Sequence, residues 1–245
     1  MHPGEMGAAI GKLLVDRGHD VFWRPRGRGP ETARRARESG IEPTDNLSTM
    51  EVIVSVCPPD AALDVARELR GYGALVIDAN AISPAKAQEI GALLGGRWVD
   101  GGIVGPPPRR KGTTRLFLSG DLAGDAALLF EGTPLETVVL DGSPVAASAL
   151  KMAYAAWSKG AAALLLCAYA SARAEGLDQA LLAEWRRSRP DLPERLDAAV
   201  ADAAEKGWRW EGEMWEIVAT LEAQGLPTGF HAAAAEVFSL PPPQG

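Results

Sequence analysis

Lys151 lies in "ALKMAYAAWSKG", a nearly apolar stretch of helical periodicity. Burial there would disfavour the ammonium and draw the pKa toward neutrality, where a lysine can take a hydroxyl proton or return one. The competing reading is a lysine that snorkels to the surface along an Ala-rich helix. A second pattern opens the chain: in "HPGEMG", Gly4 and Gly7 are spaced like the second and third glycines of a G-x-G-x-x-G fingerprint. Gly4 would let the backbone approach a pyrophosphate, the amides of the turn through Glu5 and Met6 would point at it, and Gly7 would allow close helix packing. His2 occupies the first glycine's place, and the buried strand that leads into such a turn has no counterpart in this numbering. The expectation is that the native protein begins several residues upstream of Met1, or that a shortened chain survives with impaired cofactor binding. Without that strand its neighbours would expose unpaired backbone and apolar faces.

After the next strand, "FWRPRGRG" offers Arg24, Arg26 and Arg28 and no acid. An acid there would hold the ribose hydroxyls of NAD, whereas arginine forks suit a 2'-phosphate, so NADP (NADPH) is the preferred cofactor and NAD the lesser one. Against this stands a plain solvated basic loop. His2, His19 and His231 are scattered and neither cysteine has a CxxC partner, so no metal site is expected.

These residues need elements to hold them. Up to about residue 141, short Val- and Ile-rich runs alternate with helical patterns, the signature of β-α-β units around a mostly parallel sheet. Strands are expected at "DVFW" from Asp20, "VIVSVCP" from Val52, "ALVIDA" from Ala74, "WVDGGIV" from Trp98, "RLFLSG" from Arg115 and "ETVVL" from Glu136. Asp60 and Ser83 read as helix N-caps, with Pro84 at the first helical position. After Gly142 the strand signal stops, and Asp191 with Glu194 reads as a capping box opening a helix toward Lys206. The fold class is thus an α/β Rossmann-type doubly wound sheet, its first strand truncated, followed by an all-α domain. The expected domains are 1–141, binding NAD(P), and 142–245, for substrate and dimerisation. The tail "LPPPQG" reads as frayed.

Composition agrees with a globular chain: 47% hydrophobic and 23% charged residues over 245 positions. A net charge of -7 gives no global pull toward nucleic acid or an anionic membrane. The apolar run from Gly160 is too short to cross a bilayer. Cys57 and Cys167 fall in segments that read as buried, with no leader ahead of them, which favours the cytoplasm.

Taken in order, "HPGEMG", "VSVCPPDAA", "DANAISP", "DGGIVGPPP" and "GSPVAASALKMAYAAWSKG" resemble the β-hydroxyacid dehydrogenase superfamily, which includes 6-phosphogluconate and 3-hydroxyisobutyrate dehydrogenases. The likeness is to its branch of oxidoreductases with a phosphogluconate-dehydrogenase-like helical C-terminal domain. It covers about residues 2–160, with a weaker match from Gly225. The resemblance implies that Cys57, Pro58 and Pro59 form a turn beside the cofactor and that Asn80 and Ala81 replace a Ser-Thr pair near the nicotinamide. Gly102, Val104 and Gly105 would belong to the substrate loop, with Val104 where the family pattern has serine. Lys151 matches the catalytic lysine, and Ala155 stands where the family has asparagine. His231 would reach a substrate, in a neighbouring subunit, although a histidine at a helix start is more often a capping or surface residue.

The expected activity is hydride transfer between NADP and a small hydroxyacid-like or bulkier alcohol or ketone substrate in a pocket between the domains. Loss of the serine and asparagine argues for a bulkier or less polar substrate against Val104, Ala155 and Trp157. Two alternatives are an imine-type (C=N) reductase and a non-catalytic dinucleotide-binding protein. A homodimer is expected across the helix from Val145, and Trp208 and Trp215, seven apart on one helical face, read as core or dimer packing.

Overall fold

The computed structural model describes residues 3–240. His2, read in the place of the fingerprint's first glycine, and the tail after Leu240 lie outside the described residues. The elements are α1 (Glu5–Asp16), β1 (Phe22–Trp23), α2 (Pro30–Glu38), β2 (Glu42–Pro43), β3 (Val52–Ser55), α3 (Ala62–Leu69), β4 (Leu75–Asp78), α4 (Pro84–Leu94), β5 (Trp98–Val104), β6 (Thr114–Ser119), α5 (Ala123–Leu128), β7 (Leu135–Val139), α6 (Ala146–Ala174), α7 (Asp178–Ser188), α8 (Leu192–Ala223) and α9 (Gly229–Ser239). The chain forms two compact units, Met1–Lys151 and Met152–Gly245. Strands end before the expected 141/142 boundary. Packing divides the chain later, inside α6, because the first turns of that helix hydrogen-bond to β5 and β6.

In the first unit, β3 to β7 form one sheet in sequence order, parallel except where β5 meets β6. Side chains alternate between faces of a strand, so the continuous apolar run of β4 supplies both. Leu75 and Ile77 join Ile10, Leu13 and Leu14 of α1 and Ala126 of α5 on one side. On the other, Ile53 and Val76 pack against Val65 and Leu69 of α3, and Ala62 and Ala66 of α3 join Ala87 and Ile90 of α4. Each fully buried Leu or Ile contributes about 1.5–3 kcal/mol. Helices cover both faces, as a doubly wound domain requires.

The strands β1 and β2 pair in parallel with each other, and among the described residues no strand joins them to β3. Beside them lies a cavity of about 810 Å³, whose apolar lining includes Ile10, Leu14, Trp23, Ile41, Met50 and Val52.

Local signals fared unevenly. Ser83 has the extended conformation of an N-cap and accepts the Lys86 N–H at 3.4 Å, with Pro84 opening α4. Asp60 does not cap α3: Pro58 and Pro59 set up a short 3-10 turn, Pro59–Ala61, and the helix starts after it with Ala61 in the cap position. Nor does Asp191 form a capping box. Its backbone is already helical, and its carboxylate pairs with Arg195 at 3.3 Å and Arg189 at 3.7 Å. The helix that it precedes continues past Lys206 to Ala223. There Gly207 is buried, and a Cβ at that position would lie 3.4 Å from Phe238 O of α9. Cys57 is half-buried and Cys167 exposed, which corrects the expectation that both are buried.

Candidate functional site

The register aligns Ser55, Asp78 and Asp100 as a polar row across β3, β4 and β5. All three are buried, and charged groups inside apolar strands need partners. Asn80 supplies them on the β4 side. Its N–H donates to Asp78 Oδ1 at 3.1 Å, its Nδ2 to Ser55 Oγ at 3.2 Å, and its Oδ1 accepts the Cys57 N–H at 2.6 Å. Asn80 thus ties the ends of β3 and β4 together and shapes the turn through Cys57, Pro58 and Pro59. Burial pushes Asp78 up to about 7, opposed by the Asn80 N–H and assisted by Asp100. Burial also raises the Cys57 thiol to about 12, which favours its neutral form.

On the other flank, Asp100 is only 1% exposed. Its Oδ2 accepts the Ser148 N–H at 2.8 Å and lies 3.0 Å from Ser119 Oγ, while its Oδ1 accepts the Ser148 hydroxyl at 2.5 Å. Burial raises its pKa, and the bonds from Ser148 and Ser119 pull it back down. Two residues along β5, Gly102 lies beneath α6: a Cβ there would meet Ala147 O at 2.7 Å and Lys151 Cβ at 3.0 Å. The missing side chain lets the helix press its Lys151 side onto the strand. Gly102 is buried, so the structure gives it a packing role.

Beyond Gly102, β5 ends at Val104, which is buried, and Gly105 is exposed with φ +119, a backbone that favours glycine. The loop that follows is closed at its base, where Thr114 Oγ1 donates to Pro106 O at 2.5 Å.

At the other end of the unit, Gly4 is the N-cap of α1, with extended backbone, no side-chain cap bond and open space where a Cβ would stand. Glu5 is exposed, and Met6 and Gly7 are half-buried. A helix N-terminus without a side-chain cap suits a phosphate, although Glu5 already places one negative charge in that first turn. Gly7 and Arg24 line the large cavity, and Arg24 and Arg26 share a smaller hollow of about 550 Å³ with Pro25 and Asp45. Arg24 NH1 donates to Glu68 Oε2 at 2.7 Å. Arg26 is exposed. The cofactor residues expected from sequence therefore lie in two groups, one around Gly4, Gly7 and Arg24 and one around Cys57 and Asn80.

In the second unit, His231 begins α9 against α6. Its Nε2 lies 3.1 Å from Ala156 O, its Nδ1 is buried without a hydrogen-bond partner, and a Cβ on Gly160 would come within 3.2 Å of the ring. Lys159 pairs with Glu213 and sits 5.4 Å from the Trp210 ring centroid. Ala155 is buried, whereas Trp157 is 73% exposed. Trp208 and Trp215 are also exposed and form no part of the unit's core.

Asp78, Asp100, Ser119 and Ser148 were missed as site residues by sequence reasoning. A signal was present: an aspartate inside each of the apolar runs "LVIDA" and "WVDGGIV". A buried strand rarely carries an acid without a partner to satisfy it.

A domain of unknown function, DUF1932, matches residues 172–240. An uncharacterized 28.5 kDa protein in the 7S RNA 5' region of Methanothermus fervidus is 29% identical over 187 residues, spanning 73% of this chain and 72% of that one. Among solved structures, the conserved protein MTH1747, of unknown function and structurally similar to 3-hydroxyacid dehydrogenases, is 28% identical with a TM-score of 0.72, covering 97% of this chain and 93% of its own. A 3-hydroxyisobutyrate dehydrogenase from Salmonella typhimurium shares the fold at 16% identity, with a TM-score of 0.70 and coverage of 96% and 90%. So does a reductive aminase from Aspergillus terreus in complex with NADPH, at 17% identity, a TM-score of 0.58 and coverage of 96% and 89%. A parallel-rich sheet wrapped by helices, followed by a helical unit of this kind, is the architecture that the chain shares with these 3-hydroxyacid-dehydrogenase-like structures, consistent with the β-hydroxyacid dehydrogenase superfamily.

Proposed function

We propose that this protein is an NAD(P)-dependent oxidoreductase, preferring NADP, in which Lys151 is the general acid/base. The observation that carries the reading is the seating of Lys151 on Gly102, just beyond the polar row that crosses the C-terminal ends of β3 and β4. In open α/β sheets that edge is where ligands bind. Solved structures of this fold hold NADPH, NADP+ or NAD+, which supports a nicotinamide cofactor here.

The residues present fit such a cofactor. The α1 N-terminus at Gly4, Glu5, Met6 and Gly7 would hold the pyrophosphate, Arg26 and Arg24 the 2'-phosphate, and the turn at Cys57, Pro58, Pro59 and Asn80 the path between them. When bound, the nicotinamide supplies or accepts the hydride. Lys151 Nζ would take the proton of a substrate hydroxyl during oxidation and return it during reduction. Asn80 acts from within the fold, because its amide is spent on Ser55 and Cys57 and it holds the turn rather than the ring.

The substrate is a small hydroxyacid-like or bulkier alcohol or ketone. A second reading, reduction of a C=N bond, is favoured by Val104 and Ala155, which remove the serine and asparagine that the resembled family uses on a hydroxyacid. Solved structures of the same fold include a reductive aminase and an imine reductase. We also infer a homodimer through the second unit, where Tyr154, Trp157, Leu164, Trp208 and Phe230 are exposed. His231 remains proposed as a substrate contact.

The test is NADPH oxidation over a panel of ketones, 3-ketoacids and imines, with Lys151→Met beside the wild type. Turnover that falls by about 100-fold or more in the variant, with NADPH affinity retained, is the expected result. Turnover confined to imines would select the second reading, and binding of neither cofactor would overturn both.

A further inference from the structure

We propose that Asp100 is the positioning residue for Lys151: its carboxylate, rooted on β5, caps the first turn of α6 and so fixes where the lysine stands along the strand. This deepens the reading of Lys151 as acid/base and rests on it.

A helix leaves its first N–H groups without partners of its own. Ahead of α6, Ser143 serves two of them, its Oγ accepting the Val145 N–H at 3.3 Å and its backbone O the Ala146 N–H at 3.0 Å. The next two amides are served from the sheet. Ser119 Oγ of β6 accepts the Ala147 N–H at 3.0 Å, and Asp100 Oδ2 of β5 accepts the Ser148 N–H at 2.8 Å. Ser148 then donates its hydroxyl to Asp100 Oδ1, so one residue of the helix grips both carboxylate oxygens. A negative group at a helix N-terminus is further favoured by the helix dipole.

Two periodicities make this a ruler. Along a strand, residues two apart share a face, so Asp100 and Gly102 present the same side of β5. Along a helix, residues three apart share a face, so Ser148 and Lys151 present the same side of α6. Strand and helix meet at two points, a charge-assisted hydrogen bond at Asp100 and Ser148 and a steric contact at Gly102 and Lys151. The steric point alone would let the helix slide or roll on a smooth glycine surface. The hydrogen-bonded point removes that freedom, and it is buried, where water cannot substitute for it.

The experiment follows Lys151 itself, so it needs no substrate. Asp100→Asn keeps the shape but not the charge of the cap, and Ser148→Ala removes only the hydroxyl contact. In the full-length folded protein, the rate of lysine modification by trinitrobenzenesulfonate is read peptide by peptide, with Lys12 and Lys111 as internal references and NADPH affinity measured alongside. The Lys151 rate is expected to change by about threefold or more in Asp100→Asn and in the same direction, but less, in Ser148→Ala, with the reference lysines and NADPH affinity unmoved. If Asp100→Asn does not fold, Ser148→Ala carries the test. Variants that fold with the wild-type Lys151 rate would overturn the proposal. Altered Lys151 rates together with undiminished turnover in Lys151→Met would leave the positioning standing and overturn its catalytic use.

Discussion

Within the first unit, the strands β4 and β5 and the pair β1 and β2 are held in different ways. At the row of Ser55, Asp78 and Asp100, side chains bond strand to strand and strand to helix, and the buried oxygens and amides described there have partners. The pair β1 and β2 is two residues long on each side, borders a cavity of about 810 Å³, and is tied across to α3 by the ion pair of Arg24 with Glu68. The first region is set before any ligand arrives. In the second, Trp23 and Ile41 pack on Ala36 of α2, and the exposed ion pair adds only about 0–1 kcal/mol.

The largest predicted contrast is in stability. Asp100→Ala leaves the Ser148 N–H and hydroxyl buried without their acceptor, while Ser119 keeps Pro144 O, and is expected to lower the unfolding free energy by about 3 kcal/mol, whereas Asn46→Ala, at the cavity wall, should lose under about 1 kcal/mol. Urea unfolding of the two variants checks this, and equal losses would erase the contrast. A matched pair of glycine substitutions sharpens it. In Gly102→Ala the new Cβ meets the backbone of Ala147 at 2.7 Å, while in Gly11→Ala it meets the flexible end of Ile41, beside the cavity. The former should cost about 1–3 kcal/mol and slow turnover, and the latter should be absorbed by a rotation of Ile41 at under about 1 kcal/mol.

Asp78 gives the set region a pH signature. Its carboxyl is raised by burial to about 7, so the folded chain binds a proton that the unfolded chain releases near the ordinary value of 3.8. The stability contributed by that proton is complete below the unfolded value and is lost as the pH rises through about 7. Asp78→Asn should flatten this slope, making the variant more stable than the wild type near about pH 8 and not near about pH 4. Unfolding curves across that range with unchanged slope would contradict it. The smallest effect belongs to the open region: Arg26→Ala should weaken NADPH by about tenfold relative to NADH with no change in melting temperature, measured by calorimetric titration.

How far the sequence revealed these regions follows the same division. The strand at Trp98–Val104 was legible residue for residue, because Val99, Ile103 and Val104, bounded by Gly95-Gly96 and Gly105-Pro106, have few other uses. The helix that carries Lys151 was legible through its apolar pattern. The pairing of β2 was not, since Glu42 and Pro43 are exposed and carry no apolar pattern. Asp191 misled because ion pairs with Arg189 and Arg195 compete for the same carboxylate. The cap on α6 was beyond local reading altogether: its acceptor lies on another element, 48 residues before Ser148. Hydrogen bonds of that span follow from the fold and can be read only once β5 and α6 are in place.

The measurement that bears most directly on the account is the rate of NADPH oxidation by wild type and by Lys151→Met on whichever ketone or imine the wild type turns over fastest. The account predicts a fall of about 100-fold or more at equal NADPH affinity. A variant within a few-fold of wild type would show that the proton passes through some other group, and that Lys151 on Gly102 is packing and not chemistry.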